Sequence, residues 1–170
     1  MPRLYPYVGS ESIRRAIPKT SHRLHVTNIE GLLRWLLDTH QPRERDGTVV
    51  VTFIIDAAGE LWINDRRSEH VLCADGGDVL SAGEMTFAIQ RASIEVVGVS
   101  NQSTGYCPEP ESWPAVDRVL TALAIPHPEN FTMICIFRRC ETCQTLNLVK
   151  DDWFECAVCQ SPLSTAWNLA

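Results

Sequence analysis

The strongest constraint on the fold of this chain is a group of four cysteines arranged as two close pairs. Two residues separate Cys140 from Cys143 and Cys156 from Cys159, and twelve residues separate the two pairs. Two intervening residues let a tight turn direct both thiolates at one tetrahedral ion, and twelve are enough for a small hairpin. The spacing therefore predicts a Zn²⁺ site. Because four thiolates leave no open coordination position, we expect the zinc to be structural.

The segment that holds these cysteines resembles a zinc ribbon, a small hairpin held by four cysteines, over residues 138–163. We expect hairpin strands at 145–149 and 153–155, in a C-terminal unit of residues 138–170. Zinc ribbons often bind nucleic acid or protein. Residues 138–170 carry three basic and four acidic side chains, and an acidic surface repels phosphate. We therefore expect this unit to cap the main sheet or to dock a protein.

The total of seven cysteines is odd, which argues against a disulfide framework. Residues 1–10 lack the apolar stretch of a secretory signal, and no apolar run approaches the roughly 18 residues that span a membrane. We therefore predict a cytoplasmic protein without membrane contact. Outside the zinc motif, Cys135 falls in a predicted strand and Cys73 in a predicted loop, which leaves Cys107 as the candidate for chemistry.

Three segments have helical signals. Residues 10–17 predict a short helix that ends before Pro18, because the residue before a proline is pushed out of the helical region. Thr27 and Glu30 form a capping-box pattern ahead of apolar residues at helical spacing between 29 and 37. Residues 113–123 predict a third helix, with Ser112 as the N-cap and Pro114 in the first turn.

The strand signals lie between these helices and after the last one. Residues 48–55 are β-branched and almost continuously apolar, which predicts a central strand buried on both faces. Residues 60–64 are expected to pair with it as a hairpin, residues 84–90 and 94–100 to form a second hairpin, and residues 131–138 to form a last strand. This order predicts an α+β domain over residues 1–137, with a mainly antiparallel sheet and about three helices.

Two long polar loops, at 65–78 and 101–112, flank the second predicted hairpin and should therefore lie at the same end of the sheet. Their polar and nucleophilic side chains could converge on one pocket. We take as candidate catalytic residues His70, Glu84, Tyr106 and Cys107. We take as candidate binding residues Arg67, Glu69, Asn101 and Ser103.

Residues 68–108 also resemble a known pattern. It is His-Ser-x3-Gly-Gly-x-Val-x2-Ala-Gly-Glu, followed after a hairpin by Asn-x-Ser-Gly-His-Tyr-x-Pro. It recurs in toxin-like bacterial proteins and in plant calmodulin-binding proteins with an IQ motif. This chain departs from it in having His70-Val71 in place of His-Ser, one additional residue before Gly-Gly, and Gly105 in place of a histidine. The resemblance implies a shared hairpin module and no particular activity. The whole chain also resembles an uncharacterised type of bacterial protein.

Two functions remain open for the polar loops. In one, they form the recognition surface of a non-enzymatic zinc protein that binds a partner protein or a small polar ligand. In the other, they form the pocket of a hydrolase or transferase, in which Cys107 is the nucleophile, His70 the base and Glu84 the group that orients the base. A purely structural role is open as well, because His70 and Tyr106 could simply hold the loops in place by hydrogen bonds.

A third and weaker possibility is nucleic-acid binding by a basic N-terminal arm. The first 25 residues carry one acidic side chain and five basic ones, which are Arg3, Arg14, Arg15, Lys19 and Arg23. The chain as a whole has a net charge of −6, so the remaining residues are strongly acidic. One short arm neutralises few phosphates, and we therefore do not expect nucleic acid as the main partner.

Overall fold

A five-stranded antiparallel sheet forms the centre of the computed structural model, which describes residues 1–18 and 22–170. Its strands follow the spatial order β1-β3-β2-β4-β5. Their bounds are β1 Leu24–His25, β2 Val49–Asp56, β3 Leu61–Asp65, β4 Val79–Gln90 and β5 Ser93–Val99. Each neighbouring pair is antiparallel, and β2–β3 and β4–β5 are the two predicted hairpins. The predicted α+β class is confirmed.

Four α-helices occur within the described residues: α1 Glu11–Arg15, α2 Ile29–Asp38, α3 His70–Cys73 and α4 Trp113–Ala122. A short 3₁₀ helix, Pro110–Ser112, leads into α4. The short helix α3 was not predicted and lies inside the first polar loop. None of the helices in the described ranges is long and apolar enough to cross a lipid bilayer.

The central strand β2 separates two apolar layers. Val51, Phe53 and Ile55 are fully buried on one side, in the core that also holds apolar residues of α2 and α4. Ile54 points to the other side and packs in a smaller cluster with Tyr5 and with residues of α3. The prediction of a central strand buried on both faces is confirmed.

The helix α2 begins one residue later than the capping-box pattern predicts. Asn28, not Thr27, is the N-cap, and its side-chain oxygen accepts a hydrogen bond from the backbone N–H of Gly31 at 2.7 Å. Asparagine is among the best N-cap residues, so it takes this position when it directly precedes the helix. The predicted return contact from Glu30 is replaced by an ion pair with Arg34 one turn along the helix.

The predicted strand at 131–138 forms only in its last part, as β6 Ile136–Arg139, and does not join the main sheet. Side chains occupy the backbone groups that a longer strand would need. Thr132 exchanges hydrogen bonds with Val99, and the Asn101 amide pairs with both the N–H and the C=O of Cys135. The segment is therefore anchored beside the sheet, with one isolated bridge from Met133 to Ser100.

β6 pairs with β7, Leu146–Val149, as a separate two-stranded sheet. The hairpin therefore encloses the first cysteine pair, with one strand on each side of it. Residues 153–155 do not form the predicted second strand and contribute one isolated bridge, from Glu155 to Pro162. β6 also spans the position at which we placed the boundary between residues 1–137 and 138–170.

Candidate metal centre and polar groove

The four predicted cysteine ligands come together at one point. The sulfur atoms of Cys140, Cys143, Cys156 and Cys159 all lie within 4.8 Å of one another. The Sγ atoms of Cys140 and Cys159 are 3.5 Å apart, as are those of Cys143 and Cys156. A tetrahedral Zn²⁺ with bonds of about 2.3 Å requires sulfur separations of about 3.8 Å, so the donor set and its spacing fit such an ion. The site can hold one thiophilic tetrahedral metal.

The two cysteine pairs sit in turns with the same backbone pattern. In each turn, the glutamine after the second cysteine donates its N–H to the carbonyl of the first, from Gln144 to Cys140 at 2.8 Å and from Gln160 to Cys156 at 2.9 Å. Both glutamines have positive φ, near 64° and 61°. The repeat is visible in the sequence as Cys-x2-Cys-Gln-Thr and Cys-x2-Cys-Gln-Ser. The zinc prediction rested on the cysteines of this repeat and not on the residues that follow them.

Hydrogen bonds lower the pKa of two of the four cysteine thiols, those of Cys156 and Cys159, whereas the pKa of Cys140 is raised to about 11. The hydroxyl of Thr145 lies 3.3 Å from the sulfur of Cys143, and the hydroxyl of Ser161 lies 3.4 Å from that of Cys159. Backbone hydrogen bonds, first that of Cys159 and then that of Val158, lower the pKa of Cys156 to about 6. Thiolates are the form that binds metal, so these groups prepare the site for a cation.

Asn147 was missed by the sequence reasoning and ties the two turns together. Its amide nitrogen lies 3.5 Å from the sulfur of Cys156 and donates to the carbonyl of Thr145, while its oxygen accepts from the N–H of Ala157 at 3.0 Å. It is a buried polar residue at the second position of β7. An asparagine inside a short apolar strand between two cysteine pairs is the signal that could have identified it.

A buried ion pair joins the ribbon to the second polar loop. The guanidinium of Arg138 donates two parallel hydrogen bonds to the carboxylate of Glu109, both at 2.8 Å, and its side chain is only 3% exposed. The same group also donates to the carbonyls of Phe137 and Thr165. Arg138 lies two residues before the first metal ligand, so the metal turn and the loop at 101–112 share one rigid connection.

We predict that Arg138→Met destabilises the folded protein by about 3–5 kcal/mol, because the substitution leaves the Glu109 carboxylate without its buried partner. Urea denaturation of the metal-loaded protein measures this loss. Lys150→Met removes an exposed cation from the same ribbon and should change the stability by less than about 0.5 kcal/mol. The double variant with Glu109→Gln and Arg138→Met should lose less stability than the sum of the losses in the two single variants. If the losses simply add, Arg138 and Glu109 do not interact.

The two polar loops do meet, as predicted, and form an open groove. One part has a volume of about 240 Å³ and lies between residues 66–70, Glu84 and residues 102–104. A neighbouring part of about 390 Å³ shares Arg66, Arg67 and Glu84 with it. We call the two parts together the polar groove. Of the eight residues proposed for these loops, five line it: Arg67, Glu69, His70, Glu84 and Ser103.

His70 and Glu84 are both held by neighbouring groups. The Nε2 of His70 lies 3.0 Å from the carbonyl oxygen of Gly83, and because a carbonyl only accepts, this nitrogen carries the proton. Burial lowers the pKa of His70, so its ring is neutral near pH 7. Glu84 accepts from the Nε of Arg66 at 3.3 Å, and Arg66 also contacts Glu44 at 2.8 Å. These contacts leave His70 with Nδ1 as its free nitrogen.

Tyr106, Cys107 and Asn101 do not line the polar groove. The Tyr106 hydroxyl donates to the carbonyl of Gly77 at 2.6 Å, and burial raises its pKa. Cys107 is buried in a cluster with Cys135, and burial raises the pKa of its thiol to about 12. The Asn101 amide donates to the carbonyls of Pro108 and Cys135 and accepts from the N–H of Cys135. These contacts hold the loop at 101–108 in place.

The basic side chains near the N-terminus mostly contact the body of the protein. Arg14 donates to the carbonyl of Gly76, Arg23 donates to the carbonyl of Cys73, and Arg3 stacks on the ring of Trp167 at 4.2 Å. Lys19, which was also counted in the basic arm, lies outside the described residues. Arg15 is exposed. These contacts reduce the number of cations that the arm can offer to phosphate.

No family model, curated protein or solved structure matches this chain, so its own residues and geometry provide the basis for assigning a function.

Proposed function

We propose that this protein is a zinc-stabilised recognition module, in which the metal ribbon is structural and the polar groove binds a partner. Four thiolates at tetrahedral spacing are the ligand set that zinc prefers, and they leave no position for a substrate. The ribbon caps residues 1–137 through Arg138 and Glu109, and thereby supports one of the two loops that build the groove.

The observation that carries this proposal is a set of unpartnered polar side chains in the groove. Within the described residues, the side chains of Arg67, Gln102 and Thr104 have no hydrogen bond or ion pair, and neither does the carboxylate of Glu69. A guanidinium, a carboxylate, an amide and a hydroxyl that line one groove are complementary to a ligand that carries both signs of charge. A peptide segment with acidic and basic side chains has this chemistry.

Binding is favoured over catalysis by the state of the candidate catalytic groups. A Cys–His mechanism needs a thiol within hydrogen-bond reach of its base. Cys107 is buried in an apolar cluster and does not line the groove, and its raised pKa opposes thiolate formation. His70 does line the groove, so the structure does not bring the thiol into the pocket of its proposed base. An enzyme that used these residues would lose its activity in His70→Ala and Cys107→Ala, whereas a recognition module would retain most of its binding in Cys107→Ala.

The test is a titration of the metal-loaded, ¹⁵N-labelled protein with a blocked tetrapeptide of alternating lysine and glutamate. We expect millimolar binding, up to about 10 mM, with amide shifts confined to residues 66–70, 84 and 102–104. Arg67→Met should weaken this binding at least about fivefold, because it removes the one free cation among the described groove residues.

The matched control is Arg15→Met, which removes an exposed cation remote in sequence from the groove and should leave the titration unchanged. A blocked peptide of four glutamines tests the need for charge and should bind more weakly. Shifts spread over other surfaces, or equal loss of binding in both arginine variants, would contradict the proposal.

A further inference from the structure

A second cavity, of about 470 Å³, lies on another part of the molecule and shares no lining residue with the polar groove. It is enclosed by the N-terminal segment, the start of α4 and the C-terminal tail of the chain. The side chains that matter for its chemistry are Arg3, Tyr5, Leu80, Glu111, Arg118 and Trp167. We call it the terminal cavity. Its volume lies in the range of small-molecule sites.

The apolar part of the terminal cavity is a fixed aromatic corner. Tyr5 is 2% exposed and meets the ring of Trp167 edge to face, with ring centroids 5.9 Å apart. The indole N–H of Trp167 donates to the carbonyl of Cys107 at 2.8 Å, which holds the ring in position. Leu80, at 6% exposure, completes this wall. The guanidinium of Arg3 lies over both rings, 5.3 Å from the Tyr5 centroid and 4.2 Å from the Trp167 centroid, so an apolar group that enters this corner packs beside Arg3.

The polar part of the terminal cavity has an excess of positive charge. Arg118 is exposed and has no hydrogen bond or ion pair within the described residues, and Arg3 lies over the Trp167 ring at 4.2 Å. The carboxylate of Glu109 is neutralised by Arg138, which leaves Glu111 as the acidic group that opposes these two cations. Three guanidinium groups against two carboxylates give one surplus positive charge, in a chain whose net charge is −6.

We propose that the terminal cavity binds a small amphipathic anion, with an aromatic or branched apolar body and a single carboxylate. The body packs against Tyr5, Leu80 and Trp167, and the carboxylate pairs with the guanidinium of Arg118. Arg118 is suited to this role because a guanidinium can donate two parallel hydrogen bonds to one carboxylate. Apolar contact supplies area, and the ion pair fixes the orientation of the ligand.

The experiment uses naphthylacetate as the probe and the metal-loaded protein. Binding is measured by isothermal titration calorimetry, and its location by the ¹⁵N shift of the Trp167 indole N–H, which is assigned by its loss in Trp167→Phe. We expect saturable binding that shifts this resonance. The neutral analogue naphthylacetamide should bind at least about fivefold more weakly, because it cannot form the ion pair.

Arg118→Met should reduce the affinity for naphthylacetate at least about fivefold and leave the affinity for naphthylacetamide unchanged, whereas Arg15→Met should alter neither. Equal affinities for the acid and the amide in the unmodified protein would overturn the proposal. So would saturable binding that leaves the Trp167 indole resonance in place, or the absence of binding by either probe at millimolar concentration. The peptide titration of the polar groove is unaffected by any of these outcomes, so the two sites are tested independently.

Discussion

Chelation of the metal is expected to unfold the part of the ribbon around the ion, residues 140–163, while the five-stranded sheet stays folded. The cluster beneath the ribbon consists of Cys140, Cys156 and Leu163, with a few partly buried neighbours, and is too small to hold the segment without an ion. In small zinc modules the free energy of metal binding, about 10–16 kcal/mol, is the free energy of folding. The main core contains no residue beyond Phe131 and therefore does not depend on the metal directly.

The measurement is a pair of ¹⁵N–¹H spectra, before and after treatment with a strong chelator, combined with elemental analysis for one ion per chain. We expect the resonances of residues 140–163 to collapse towards random-coil positions, whereas Trp167 and Leu169 keep their contacts outside the metal cluster. The resonances of the 101–112 loop should shift as well, because Arg138, which forms the ion pair with Glu109, no longer has a fixed position. Readdition of Zn²⁺ should restore the original spectrum.

Two cysteine variants distinguish the metal ligands from other buried thiols. Cys140→Ser removes one ligand and should abolish stoichiometric metal binding. Cys73→Ala replaces a fully buried cysteine outside the metal cluster and should keep one ion per chain, although it loses some core packing. Retention of the metal in Cys140→Ser, or an unchanged spectrum after chelation, would contradict the assignment.

Gly83→Ala is expected to be the most damaging single substitution in the main sheet, with a loss of roughly 3–5 kcal/mol or complete failure to fold. A Cβ atom at this position would lie 1.9 Å from the carbonyl oxygen of Ser100 and 2.7 Å from its carbonyl carbon. These are backbone atoms, and Ser100 also donates its N–H to Glu84 and leads into the anchored Asn101. The neighbouring chain therefore has no side-chain rotation by which to relieve the clash.

Thermal and urea unfolding of the metal-loaded protein measure this effect. Gly31→Ala is the matched control, because its added methyl group would meet only the side chain of Asn28, at 3.3 Å, and should change the stability by less than about 1 kcal/mol. If the Gly83→Ala and Gly31→Ala variants are equally stable, Gly83 does not lie as close to the backbone of Ser100 as the structure shows. If the Gly83→Ala protein folds, the ring resonances of His70 should also shift, because the carbonyl of Gly83 accepts a hydrogen bond from this ring.

Local patterns were sufficient for most of the secondary structure. The apolar run of β2 and the two Cys-x2-Cys turns are each encoded by residues close in sequence. The buried central strand and the convergence of the four cysteines are confirmed. A strand was predicted over residues 131–138, and its absence at 131–135 could not be foreseen, because side chains remote in sequence decide it. Asn101 occupies both backbone groups of Cys135, and Asn168 does the same for Arg139. A run of apolar residues contains no information about such partners.

The polar groove could be predicted only in part, for a related reason. Loop positions at one end of a sheet follow from strand order, which is why five of the eight proposed residues line the groove. The direction of each side chain within a loop depends on backbone geometry. Cys107 has φ near 47°, a left-handed conformation that no sequence signal indicated, and its thiol packs in the apolar cluster with Cys135.

The repeated turns of the metal site also determine how the ion is captured. Each turn supplies two thiolates that are close in sequence and so acts as a clamp, and twelve residues join the two clamps. Once one clamp holds the ion, the second binds it at an effective concentration in the millimolar range, so closure depends little on the concentration of protein. A large excess of free metal removes this advantage, because each clamp can then take its own ion. Stepwise addition of metal up to one ion per chain should therefore give more four-cysteine sites that share one ion than a single large excess does.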